Sequence, residues 1–445
     1  VNVVWLALMS IGLLFAAATG RLPELSNGVL EQAKAAVELA IGLVGVMALW
    51  LGIMRVAEAS GIIHLISRLV YPVARWLFPG IPRDHPALSA ITLNVAANAL
   101  GLGNAATPFG LKAMEELDKL NPKRGVPSDD QATFVALNTA NVQLVPATVI
   151  ALRASAHAKD PSEIVGPTLL ATLCAMTAAL VAARLLRRIP AFRRQYEAAE
   201  PKGAEAPAAD AAEQFKQAPL QARALDRRAA IAGVVLLAGA LAVCVAAGHS
   251  YAAETPMGAR GLAGVFRLIN AAISRAAIPV FLVGIPLFAF AVRVPPYERF
   301  IEGAKEGFWL AIRVLPYLVA ILAVVGAFRF SGAMDWVAQT VGPYTDRIGL
   351  PAAALPMVLI RPLSGAAASG VTGAVFADPL LGPDSYVGRL VSVMNGSTET
   401  TFYVLAVYFG AVGIRRYRHA LAAGLIADLS GFAASIAVVW AVFGR

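Results

Sequence analysis

The chain has 445 residues, 58% of them hydrophobic and only 15% charged, with a mean hydropathy of +0.67. An ordinary soluble domain is about half apolar and about a quarter charged, so these figures exclude one. The net charge of +9 does not indicate nucleic acid, because the basic residues cluster between hydrophobic windows as cytoplasmic loops do.

The first window, "VNVVWLALMSIGLLFAAATG", has the apolar run and small-residue end of a signal sequence but no basic start. Its counterpart at 274–290 makes it a retained helix. Further windows at 35–54, 162–183, 229–248, 276–292, 308–327 and 419–443 are each long enough to cross a hydrocarbon core about 30 Å thick. Between them, 60–78 and 331–346 are amphipathic and predict helices lying in the interface. Cys174 and Cys244 both fall inside apolar windows, as small hydrophobes rather than a disulfide or metal pair.

The chain repeats itself. "EQAKAAVELAIGLV" (31–44) aligns with "EGAKEGFWLAIRVL" (302–315), and in the same register Ser60-Gly61 meets Ser331-Gly332 and Pro72 meets Pro343. Further on, "FVALNTANVQLVPATVIAL" (134–152) matches "LVSVMNGSTETTFYVLAVY" (390–408) in character. The division is a first repeat over 1–187, a basic cytoplasmic linker over 188–228, an extra connecting transmembrane helix over 229–248 and a second repeat over 270–445. The linker is rich in Ala, Pro, Glu, Lys and Arg, which predicts a flexible, solvated segment. One unmatched span turns the second half upside down, the plan of a secondary transporter with a midplane site. The topology expected has the N-terminus and linker in the cytoplasm and Arg445 outside.

Two segments are too broken for simple spans. In "PALSAITLNVAANALGLGNAATPFG" (86–110), Asn94 and Asn98 share a helix face, and Asn104 and Thr107 flank the glycines and Pro108. Its counterpart "LIRPLSGAAASGVTGAVF" (359–376) carries Arg361, Ser364 and Ser369. Irregular backbone at membrane depth survives only inside protein or against a cavity, so both predict re-entrant helical hairpins. Polar patches beside them supply Asn138, Asn141 and Gln143 in the first half and Asn395, Ser397, Thr398, Glu399 and Thr400 in the second. These fifteen residues form the expected substrate site. For a single Ser, Thr or Gly, helix packing is the competing role. For Glu399 it is helix capping, against which stands the cost of about 2.5–3.5 kcal/mol for a carboxylate at mid-span.

At these residues the chain resembles known families. "NVAANALGLGNAATPFGLKAMEELDKLNP" (94–122) is similar to the signature of spore maturation protein A. "RPLSGAAASG" with "GPDSYVGRLVSVMNGSTETTFYVLAVYFGAVGIRRYRHALAAGLIADLSG" (361–431) resembles spore maturation protein B. The chain thus looks like a fusion of the two, of the nucleoside recognition or Gate family. That resemblance implies an all-α polytopic membrane protein like concentrative nucleoside transporters, an inverted-topology repeat with two re-entrant helical hairpins. It implies a secondary transporter for a nucleoside-like or small carboxylate solute, in the bacterial cytoplasmic (inner) membrane. Two alternatives stay open, a metal-ion permease related to ferrous iron transporters and a non-transporting scaffold for envelope or spore maturation. No catalytic or metal-binding motif is present, so no enzyme is expected. No cofactor is expected beyond a coupling H+ or Na+. The partners expected are the solute and the lipid bilayer, with no nucleic acid and a homo-oligomer left open.

Overall fold

The computed structural model describes residues 2–82, 85–101, 106–123, 125–141, 143–201 and 278–444. Between 202 and 277 it describes 231–236, 238–240, 242–243, 245–246, 268, 272, 275 and 276. Asn104, Cys244, Arg445, most of the linker and parts of the 229–248 window lie outside the described residues.

The first half consists of α1 (Asn2–Thr19), α2 (Leu22–Ser60), α3 (Ile62–Leu77), α4 (Pro86–Ala99), α5 (Ala106–Leu120), α6 (Asp129–Thr139), α7 (Ala147–Ser155) and α8 (Val165–Leu186). A short α9 (Pro190–Glu197) follows. The second half repeats the plan with α10 (Ile285–Ala291), α11 (Pro296–Phe330), α12 (Ala333–Thr340), α13 (Leu355–Ile360), α14 (Gly365–Ala377), α15 (Tyr386–Ser397), α16 (Thr401–Ala411) and α17 (Ala420–Phe443). By length and composition, α2, α8 and α17 are each able to cross a membrane as single apolar helices.

The equivalence extends to single residues. α2 turns into α3 at Gly61, with φ 78°, and α11 turns into α12 at Gly332, with φ 85°. Both are in the left-handed region that favours glycine, and they are the pair the sequence repeat aligns. The long helices α2 and α11 pack together more extensively than any other pair. Gly303 and Gly307 lie where a Cβ would overlap the backbone at Leu51 and Met47, so the helices approach closely.

The two halves run in opposite directions. α6 and α7 run from Asn121 and Asp129 towards Arg153, whose guanidinium bonds Asp384 at 3.2 Å. α15 and α16 start beside Asp384 and end where the N–H groups of Arg415 and Arg416 donate to Gly125 O, both at 3.2 Å. The two interrupted helices are therefore antiparallel. The α4–α5 hairpin opens at the first of these ends, where Asn121 donates to Gln131 at 2.8 Å. The α13–α14 hairpin opens at the other, where the Tyr386 hydroxyl donates to Gly349 O at 2.8 Å. α8 and α17 pack against one another, with small residues such as Ala175, Ala179, Ala423 and Ala427 in the seam.

The start of the linker is helical and lies at the surface, with none of the helix residues buried. Pro190 supplies a favoured first helical residue, and α9 docks on the bundle. Tyr196 donates to Asn121 at 3.1 Å, Lys123 donates to Ala199 O at 2.7 Å, and Phe192 packs edge-on against His419. Aromatic residues at 192 and 196, one helical turn apart, are the signal for this docking.

Candidate functional site

Each interruption has a local cause. Between α6 and α7, Pro146 lacks an N–H and pushes Val145 out of helical conformation. Between α15 and α16, the run Ser397 to Thr401 offers hydroxyls that compete for backbone groups, and Thr398 is extended at φ −140°, ψ 165°. In the second hairpin, Pro362 stops α13 and Ser364 caps α14 by accepting from the Ala367 N–H at 3.2 Å.

The interruptions meet. Glu399 N donates to Thr139 O at 2.7 Å, joining the two broken helices backbone to backbone. Leu144 N donates to Ala99 O at 2.8 Å, tying the first break to the first hairpin. Phe402 N donates to Pro362 O at 3.1 Å, tying the second break to the second hairpin. Each half thus secures its hairpin with an N–H from its own broken helix. The peptide groups freed by the breaks find partners in one another, as buried backbone must.

Around this crossing the polar side chains sort into two groups. In the first, Glu399 Oε1 accepts from Asn141 and from Gln143, both at 3.1 Å, and Oε2 lies 3.9 Å from Arg361. The Glu399 side chain is 31% exposed, whereas Arg361 is buried and donates to Thr398 O. Asp428, on α17, completes the group. It is buried, accepts from the Thr401 hydroxyl at 2.6 Å and has Thr398 beside it. The Arg361 guanidinium thus pairs with Glu399, with Asp428 in the same polar group. The bonds to Oε1 of Glu399 come from the opposite half of the chain, an arrangement different from a helix cap.

In the second group, Asn98 donates to Asn138 at 3.1 Å, and Asn94 donates to Ala106 O at 2.9 Å and to the Tyr408 hydroxyl at 3.4 Å. Tyr408 also reaches Asn138, at 3.4 Å. These amides support the hairpin and share α6 with the first group. Thr107 faces the half-exposed Tyr403 hydroxyl. Asn395 donates to Thr372 at 3.2 Å, while Ser369 and Ser397 bond carbonyls of their own helices. Thr400 is buried at the start of α16.

Sequence reasoning missed Asp428, whose signal was a lone carboxylate inside the apolar window 419–443. It also missed Arg153, which is wholly buried and bonds Glu163 at 2.5 Å, Asp384 at 3.2 Å and Pro383 O at 2.6 Å. Arg389 adds a second link to Glu163, at 2.8 Å. This network joins the halves at the Asp384 end.

The Gate family, described as nucleoside recognition, matches residues 40–156 and 311–415, so each match contains one hairpin and one broken helix. Spore maturation protein B of Bacillus subtilis is 50% identical over 172 residues, which are 39% of this chain and 96% of that protein. Spore maturation protein A of the same organism is 46% identical over 181 residues, 41% of this chain and 92% of that protein. The Inner membrane protein YjiG of Escherichia coli is 33% identical over 85 residues, 19% of this chain and 56% of that protein. Among solved structures, the crystal structure of the YdaH transporter of Alcanivorax borkumensis aligns over 94% of this chain and 88% of its own, with a TM-score of 0.46 and 16% identity. With two separate relatives matched over nearly their full lengths, this membrane chain belongs to the spore maturation protein A and B family and looks like a fusion of the two.

Proposed function

We propose that the protein is a secondary transporter that moves a small polar organic solute past the crossing of the two broken helices by alternating access. The observation that carries this reading is the meeting of four helix interruptions around one partly open carboxylate, Glu399. Antiparallel, equivalent halves suit a mechanism in which one arrangement can be exchanged for its mirror across the membrane. In this reading Asn141, Gln143, Thr398, Glu399 and Thr400 touch the solute, Arg361 balances the charge of Glu399, and the Asn94, Asn98, Asn138 group holds the first hairpin in place.

Charge narrows the solute. Arg361 against Glu399 is balanced, and ionising the buried Asp428 as well would leave one negative charge, which a single H+ or Na+ neutralises. A free carboxylate solute would add charge that this site opposes, whereas an uncharged, hydrogen-bonding solute would not. Nucleosides fit better than small carboxylates on this ground, and the family description supports them. Proteoliposomes given radiolabelled uridine or succinate under an imposed proton or sodium gradient test it. Gradient-dependent uridine uptake above succinate uptake is the expected result. Equal, gradient-independent leakage of both from folded protein would count against transport.

The orientation follows from charge. Lys123, Arg187, Arg188, Arg415 and Arg416 gather at one end, which this reading assigns to the cytoplasm. Single cysteines introduced at Lys123 and at Asp384 should react with an impermeant maleimide from opposite sides of the membrane. Labelling of both from one side would defeat the inverted arrangement.

A further inference from the structure

At the arginine end, the C-terminal end of α8, the docked α9 and the loop entering α17 border an open cavity of about 470 Å³. Arg187, Arg188, Arg193 and Arg418 line it with Tyr196, against two carboxylates, Asp129 and Glu197. Four guanidinium groups against two carboxylates leave the lining positive, and Asp130, close to Arg187 and Tyr196, offsets part of that charge. Asp130, next in sequence to Asp129, turns towards Gly80.

The floor is rigid. The Arg418 side chain is 3% exposed, donates to Pro127 O at 2.7 Å and to Phe192 O at 3.3 Å, and lies 4.6 Å over the Tyr196 ring. It pairs with Asp129 at 3.1 Å, and Arg187 approaches the same carboxylate at 3.7 Å. Arg193 is held by Glu197 at 2.7 Å. Arg188 is exposed at the mouth and pairs with no carboxylate among the described residues. The surroundings indicate depth. Leu185, one turn or less away, is exposed, and Arg184 stacks 4.7 Å over Trp76, which is itself 69% exposed. An exposed tryptophan with arginines above it is the composition of a membrane–water boundary.

We propose that this cavity binds a phosphate-bearing anion at the membrane surface, the phosphate of an anionic phospholipid or of a soluble phosphomonoester. A phosphomonoester carries about −1.5 to −2 charges near neutral pH, opposite in sign to the lining, and its oxygens suit the planar fork of arginine. The proposal does not depend on the transport reading. Bound phosphate competes with Asp129 for Arg187 and Arg418, and so loosens or tightens the tie between the first half's α6 and the second half's entry to α17.

The test is thermal unfolding of the full chain in detergent with dioctanoyl phosphatidic acid, dioctanoyl phosphatidylcholine or inorganic phosphate. Phosphatidic acid is expected to raise the melting temperature saturably, less so as salt increases, and phosphatidylcholine is not. A parallel shift with millimolar inorganic phosphate identifies a soluble phosphate source; its absence identifies the lipid. Arg188→Gln breaks none of the described ion pairs, so its ligand-free melting temperature should match wild type. Its affinity should fall about five-fold, and that of Arg187→Gln with Arg188→Gln about thirty-fold. Arg347→Gln, at the opposite end, is the control. No shift with either phosphate, or equal affinity in Arg188→Gln and Arg347→Gln, overturns the proposal.

Discussion

Glu399→Gln is expected to cut gradient-driven uptake about ten-fold or more, with the protein still folded. Gln keeps the shape and removes the charge. Breaking a fully buried ion pair costs about 3–5 kcal/mol. Here the partner distance is 3.9 Å and the side chain is 31% exposed, so screening reduces the cost to about 1–2 kcal/mol. If that loss falls on the translocation barrier, it amounts to about ten-fold in rate. The Asn141 and Gln143 amides, which donate to the carboxylate at 3.1 Å, meet an amide that must turn its oxygen towards both. A wild-type rate in the variant would mean that the carboxylate has only a local structural role.

Arg361→Met should be the most destabilising single change at the crossing. It leaves Glu399 without its cation, with the Asp428 carboxyl in the same buried group, and takes a donor from Thr398 O. Uncompensated charge at a buried site costs about 3–5 kcal/mol. Because the cause is charge rather than volume, Arg361→Met combined with Glu399→Gln should be more stable than Arg361→Met alone. Thermal unfolding of the three variants in detergent reads this as non-additivity. Strictly additive losses would show that Arg361 acts through packing and not through its carboxylate partner.

The repeat and the paired breaks could be read from the chain because proline, glycine and hydroxyl runs act on the backbone locally. Ser60-Gly61 and Ser331-Gly332 needed no tertiary information to align. What a linear pattern does not carry is rotation about the helix axis and the identity of the residue opposite. Asn98 and Asn141 belong to similar patches, yet Asn98 faces Asn138 and Asn141 faces Glu399. Asp428 sits in a run that is otherwise apolar, and only the packing of α17 against the second break brings it to Thr401. Ser364 and Ser369 lie in the second hairpin, but the structure gives them a cap and a same-helix bond. α9 was hidden by composition, since alanines and arginines describe a solvated segment as well as a docked helix.

The bond from Glu399 N to Thr139 O has a consequence for stoichiometry. Neither half holds a complete set of partners: the carboxylate and guanidinium come from one, the two amides and the receiving carbonyl from the other. A half folded alone would present a peptide group stripped of its mate, at a cost comparable to an unmade buried hydrogen bond. Joining both in one polypeptide fixes their ratio at one to one. It also replaces a diffusional encounter by an intramolecular one. The covalent connection thus serves as a means of assembly: it ensures that every copy of the first half is made with the one surface able to complete it.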